Sequence, residues 1–144
     1  VLNITSDHLD WHKDLKEYVD SKKNIVKFQK KSDYAVINDD YEIPKSFAKE
    51  SKAKVIFFSK AIPTNGCFVG GDEIILVRKD VMVSLGKKHW PLLRGEHNLE
   101  NITAAISVAS LLGIDEEIIK KVVFSFKGLE HRLELVDSVG GVSF

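Results

Sequence analysis

Apolar positions along this chain follow two rhythms. Val1 to Ile4, interrupted only by Asn3, reads as the end of a strand, and Tyr34-Ala35-Val36-Ile37 and Val55-Ile56-Phe57-Phe58 are short apolar runs, the pattern of strands covered on both faces. Between the first two, Leu15, Val19, Lys22 and Val26 recur at i, i+4, i+7 and i+11. That spacing is one face of a helix and predicts one from about Lys13 to Gln29. Between the second and third runs, Pro44 suits the first turn of a short helix reaching about Ser51. The β-α-β-α-β alternation predicts an α/β fold, a mostly parallel sheet flanked by helices.

The rhythm then changes. Cys67-Phe68-Val69, Glu73 to Arg78 and Val81 to Leu85 are short strands joined through Gly70-Gly71-Asp72 and Lys79-Asp80, and Pro63-Thr64-Asn65-Gly66 is a turn before them. Tight connections join antiparallel neighbours, so a small meander is predicted. A helix from about Asn98 to Leu112 should bury Leu99, Ile102, Ile106 and Ala109 and stop at Gly113. Asp115 should cap a second helix with Ile118, Ile119, Val122, Val123 and Phe126 on its core face, ending before Gly128. Arg132 to Val136, Asp137-Ser138 and Val142 to Phe144 read as a hairpin opening a new unit.

Composition narrows the function classes. At 144 residues and 44% hydrophobic, the chain supports one ordinary core. Lys plus Arg equals Asp plus Glu at 21 each, which gives no electrostatic case for nucleic acid or an anionic membrane. Only Arg78, Arg94 and Arg132 among the cations offer the planar fork that suits phosphate. The lone Cys67 excludes an internal disulfide and fits a reducing cytoplasm. No apolar run approaches the roughly 20 residues of a membrane helix, and no signal peptide is visible. The chain starts without methionine inside one apparent strand and stops inside another, so it reads as a piece of a larger protein.

Three clusters could carry chemistry. Asp7, His8, Asp10 and His12 follow the first strand, and imidazole and carboxylate both suit Mg²⁺ or Mn²⁺. Asp7 and His8 sit nearest the strand end, where α/β sheets collect ligands. Lys22 falls on an apolar stripe, where an unpaired ammonium is costly. Either it snorkels from the rim, or its amine becomes a carbamate, an oxygen ligand for a hard cation. The second cluster, Gly95-Glu96-His97-Asn98-Leu99-Glu100-Asn101, puts two carboxamides at i and i+3 on a helix start. They could recognise an adenine edge, or serve as an N-cap and a solvated residue. Lys127-Gly128-Leu129-Glu130-His131-Arg132 sets an arginine at the junction with the final hairpin, where a ligand cleft or an ordinary surface loop could form.

Together these segments resemble the ATP-dependent Mur ligases. Asn3 to Asp10 is similar to that family's N-[IV]-x-x-D-H-[LM]-D, and Tyr18 to Lys22 to its Y-x-x-x-K, whose lysine is carbamylated. Gly95 to Ala105 is similar to G-x-H-N-x-x-N-x-x-A-A, and Phe126 to Glu134 to F-x-G-L-x-H-R-x-E. The resemblance implies that His8 binds magnesium, that Lys22 as carbamate supports the same catalytic region, and that Asn98, Asn101 and Arg132 contact ATP. His97 and the G-L-x-H-R element point to the member joining D-glutamate to UDP-N-acetylmuramoyl-L-alanine through an acyl phosphate, in cytoplasmic peptidoglycan precursor synthesis. That enzyme is expected to be monomeric at full length.

The chain has no G-x-x-x-x-G-K-[ST] loop. The resemblance places that loop upstream, making residues 1–129 the C-terminal half of the central ATP-binding domain and 130–144 the start of the C-terminal, amino-acid-binding domain. By itself the chain is expected to bind ATP weakly and to catalyse nothing. The alternatives are another Mur ligase or a folylpolyglutamate synthetase relative, a metal-dependent hydrolase using Asp7, His8, Asp10 and His12, and a non-catalytic fragment.

Overall fold

The computed structural model describes residues 1–5, 12–93, 95–129, 138–140 and 142–143. The first helix, α1 (Leu15–Lys27), begins at a reciprocal cap. The Asp14 carboxylate accepts from Glu17 N at 2.9 Å, and the Glu17 carboxylate accepts from Lys13 N at 2.9 Å. Strands β1 (Tyr34–Asn38) and β2 (Lys54–Phe58) pair in parallel from Tyr34↔Lys54 to Asn38↔Phe58. Between them lie α2 (Glu42–Ser46), with Pro44 in its first turn, and a 3₁₀ turn at Phe47–Lys49. Val1 adds a short parallel pairing on the other edge of β1, its nitrogen donating to Val36 O at 2.7 Å and its carbonyl accepting from Asn38 N at 3.0 Å.

The predicted meander is β3 (Cys67–Gly70), β4 (Glu73–Arg78) and β5 (Val81–Lys87), antiparallel in that order. Lys79 and Asp80 both take positive φ, 51° and 62°, as a two-residue turn matched to strand twist requires. A parallel bridge, Ser59↔Phe68, joins this meander to the end of β2. Helix α3 (Glu96–Leu111) ends in a Schellman motif: Gly113 N donates to Ser110 O at 3.0 Å and Ile114 N to Ala109 O at 3.1 Å. Asp115 caps α4 (Glu116–Ser125) as predicted, accepting from Glu117 N at 2.9 Å. A hairpin of β6 (Ser138–Val139) and β7 (Val142–Ser143) follows, while the predicted strand Arg132–Val136 lies outside the described residues.

Strand alternation divides the interior in two. Ala35, Ile37, Val55 and Phe57 pack with Val19, Val26, Ile43 and Phe47 of α1, α2 and the turn after it. On the opposite face Val36 and Phe58 meet α3. The meander and both late helices bury Cys67, Ile74, Leu76, Leu85, Ile102, Ile106 and Ile119 together. Each large side chain in these clusters contributes roughly 1.5–3 kcal/mol. Burial pushes the Cys67 thiol far above its ordinary range, which makes it a core residue without nucleophilic character.

Two predicted faces differ from what is observed. On α1, Tyr18 and Val26 are buried, but Leu15 is 41% exposed and Lys22 is exposed although both share that face by spacing. The described residues cover the face at 18, 19 and 26 and leave it open at 15 and 22. On α4, Ile119 is buried while Ile118, Val122 and Phe126 are 55%, 56% and 44% exposed. That helix meets α3 along one edge, and an apolar crevice of about 160 Å³ runs between them.

Candidate functional site at the strand ends

Parallel strands leave carbonyls and loops at their C-terminal ends, and β1 and β2 end side by side at Asn38 and Phe58. There the chain builds a polar network, with Asn38 and Ser59 fully buried. Asn38 Oδ1 accepts from Asp40 N at 2.9 Å. The Asp40 carboxylate accepts from Ser59 Oγ at 2.5 Å and from Lys60 N at 2.9 Å. Ser59 Oγ also accepts from Ala61 N and Ile62 N, each at 2.8 Å. Both loops are thereby locked to one another.

From the other side α3 contributes Glu100, 6% exposed. Its carboxylate accepts from Asn38 Nδ2 at 3.2 Å, from Tyr41 Oη at 2.8 Å and from Lys60 Nζ at 2.5 Å. A carboxylate this buried is tolerated only when its oxygens are satisfied and a cation is near, and both conditions hold. The hydrogen bond to Glu100 raises the Lys60 pKa and is also the main cause of a raised Tyr41 pKa. In both groups the folded state holds the proton more tightly, so their contribution is complete below the unfolded values near 10 to 10.5 and fades as pH rises through the folded ones. Melting curves followed by circular dichroism should therefore show an alkaline loss of stability above about pH 10. The loss should be shallower in Glu100→Gln; equal slopes in both proteins would contradict this assignment.

Asn98 and Asn101 stand on α3 beside this network. The helix starts two residues earlier than predicted, with Gly95 as N-cap at φ 97°, so Asn98 lies inside the first turn and is not the cap. Asn98 is half-buried and Asn101 exposed, and Asn101 Nδ2 donates to Asn98 Oδ1 at 3.3 Å. Their one-face placement holds. Asn101 also edges an otherwise apolar groove of about 380 Å³ lined by Leu2, Val36, Phe58, Ala104 and Val108 among others. Apolar walls beside a carboxamide are what a planar heterocycle needs.

Of the two readings of Lys22, its position agrees with the one in which the side chain reaches solvent from the rim. Its ammonium lies 5.3 Å from the centroid of the Tyr18 ring, and the side chain is exposed. The His12 ring packs against the same tyrosine at a tilt of 59°, ring centroids 5.3 Å apart, with Glu17 at 4.0 Å. Asp7, His8 and Asp10 lie outside the described residues, as does Arg132. Among the described residues no group of three His, Cys, Asp or Glu side chains could hold a metal ion. Magnesium keeps most of its waters and needs one or two protein oxygens, so a Lys22 carbamate suits it without such a cage.

Glu100, Lys60 and Asp40 are the side chains that sequence reasoning passed over. A signal existed: Glu100, Thr103 and Ser107 form a polar stripe at helical spacing, set among the apolar Ile102, Ala104 and Ile106. Thr103 Oγ1 donates to Leu99 O at 2.9 Å, and Ser107 Oγ accepts from Cys67 N at 3.0 Å.

Comparison with known proteins adds independent findings. The pattern of the Mur ligase middle domain matches residues 1–109. A protein of Natranaerobius thermophilus named UDP-N-acetylmuramoylalanine--D-glutamate ligase is 43% identical over all of this chain, and its namesake in Clostridioides difficile is 41% identical. The chain spans 32% of the length of each. Among solved structures, a ligase for 2,6-diaminopimelate addition to UDP-N-acetylmuramoyl-L-alanyl-D-glutamate superposes with a TM-score of 0.73 at 23% identity, covering 96% of this chain and 30% of that one. MurF from Acinetobacter baumannii gives 0.72 at 20%, covering 96% and 31%. At such identities these two establish the fold.

Proposed function

The chain belongs to the Mur ligase family, and from that premise we propose that it is part of an ATP-dependent ligase joining D-glutamate to UDP-N-acetylmuramoyl-L-alanine. The observation carrying this reading is the identity, 43% and 41% across the whole chain, to relatives named for D-glutamate ligation. In this reading residues 1–129 belong to the central domain and 130–144 open the C-terminal domain. The enzyme works in the cytoplasm as a monomer, on soluble substrates, with no membrane or nucleic-acid partner. Family membership sets the hydrolase alternative aside.

The carboxylate of UDP-N-acetylmuramoyl-L-alanine attacks the terminal phosphorus of ATP, ADP leaves, and an acyl phosphate, a mixed anhydride with a good leaving group, is formed. The amine of D-glutamate then attacks the acyl carbon, phosphate departs, and an amide forms. Little covalent chemistry falls to the protein, so its work is positioning and charge balance. Asn98 and Asn101 hold the nucleotide with donor and acceptor atoms that do not ionise, and Arg132 supplies a fork for its oxygens. His8 and a carbamate on Lys22 would hold magnesium, which would offset the negative charge of phosphate and carboxylate. The apolar groove beside Asn101 supports this reading because it offers a dry wall next to the carboxamide pair.

The test is turnover by the full-length protein. Phosphate release with UDP-N-acetylmuramoyl-L-alanine, ATP and magnesium should require D-glutamate, and the product mass should rise by one glutamate residue. Turnover with 2,6-diaminopimelate or L-lysine in place of D-glutamate would overturn the assignment. Release without any amino acid would point to a simple ATPase.

A further inference from the structure

Asn98 and Asn101 face outward on α3, and the residue between them that faces inward is Glu100. At 100° per residue its side chain leaves the helix roughly 100–160° away from the pair. The N-cap is Gly95, which makes no side-chain capping bond, and Leu99 is only half-buried. Glu100 is instead held by groups from three separate places in the sequence: Asn38 at the end of β1, Tyr41 before α2 and Lys60 after β2. Those holders are themselves fixed, since Asp40 and Ser59 tie the two loops together. Farther along the same stripe, Thr103 bonds only within α3 and Ser107 accepts from Cys67 N, while Ile102 and Ile106 seat the body of the helix in the core.

We propose that Glu100 is a positioning residue for nucleotide binding. Clamped by Lys60, Tyr41 and Asn38, it holds the start of α3 against the two strand-end loops and so fixes the direction in which Asn98 and Asn101 present their carboxamides. This inference rests on the reading of that pair as nucleotide contacts. A fully satisfied polar network has one arrangement, whereas an apolar residue at 100 could settle in several. The clamp thus exchanges the desolvation of a carboxylate for a single geometry at the carboxamides.

The test uses steady-state kinetics of the full-length ligase. Glu100→Leu should raise the KM for ATP about tenfold while the KM for D-glutamate stays within about twofold, and Glu100→Gln, which keeps part of the hydrogen bonding, should raise it about threefold. In an Asn98→Ala/Asn101→Ala background, Glu100→Gln should add less than about twofold, because a residue that acts through the pair loses its effect once the pair is gone. Full additivity in that background, a rise in all substrate KM values together, or an unmoved ATP KM in Glu100→Gln would each overturn the proposal. If the Leu variant does not fold, the Gln variant and its cycle decide alone. An Asn98→Ala/Asn101→Ala enzyme with unchanged ATP KM would defeat the nucleotide reading and this inference with it. A raised ATP KM there, with Glu100→Gln unaffected, would defeat the clamp only.

Discussion

Replacing Lys22 with alanine is expected to lower turnover of the full-length ligase by about 10²–10³-fold, the usual effect of removing one charge-stabilising group from a reaction centre. Stability should change by no more than roughly 0.5 kcal/mol, because the side chain is exposed and gives up only its approach to the Tyr18 ring. This separation of activity from stability follows from the open face of α1. Arginine is the informative substitution. It keeps the positive charge and the reach of lysine, yet a guanidinium does not take up carbon dioxide under ordinary conditions. If Lys22 works as a carbamate, Lys22→Arg should be as inactive as the alanine enzyme. Restored turnover with arginine would mean that the ammonium itself is the working group. Assays stripped of bicarbonate should lose activity in the wild-type protein and change nothing in either variant.

Gly66→Ala should cost about 3 kcal/mol of folding stability, at the upper end for one added methyl group in a packed interior. A Cβ at this position would lie 2.3 Å from the carbonyl oxygen of Phe57 and 2.7 Å from a methyl carbon of Ile56. The Phe57 contact is backbone and cannot rotate away. Asn65 makes relaxation harder still, because its carboxamide accepts from Phe57 N at 2.8 Å and donates to Val55 O at 3.1 Å, filling the free edge of β2. Moving the turn to admit a methyl group would break both bonds and push Ser107 off Cys67 N. Urea unfolding should show the midpoint falling with the slope unchanged. A loss below about 0.5 kcal/mol would mean that the close packing of α3 on β2 and β3 is looser than these distances say.

The fold was largely legible because its signals are local. Both parallel strands, the meander, the Lys79-Asp80 turn, the Gly113 stop and the Asp115 cap follow from short-range rules, and each is present. What misled was the step from periodicity to burial. Leu15 and Lys22 have the right spacing on α1, and Ile118, Val122 and Phe126 have it on α4, but periodicity only says which residues share a face. Whether another element covers that face depends on where the chain goes next. The start of α3 was missed for a related reason: Asn98 is a good cap residue, and a glycine in a left-handed conformation three positions earlier took that place.

The candidate site divides in the same way. Asn98 and Asn101 could be read from sequence because residues three apart on a helix must be neighbours, whatever surrounds them. Glu100 carries the same information in the chain, but its partners Asn38 and Tyr41 are 62 and 59 positions away and Lys60 is 40 positions away. No periodic rule spans such distances. The residues alone determined the order of strands and helices, their caps and the family motifs, since these depend on backbone conformation and on side chains within a turn of one another. Tertiary structure alone decided which polar groups lost their water and which then had to find each other, because burial is a property of the assembled layers.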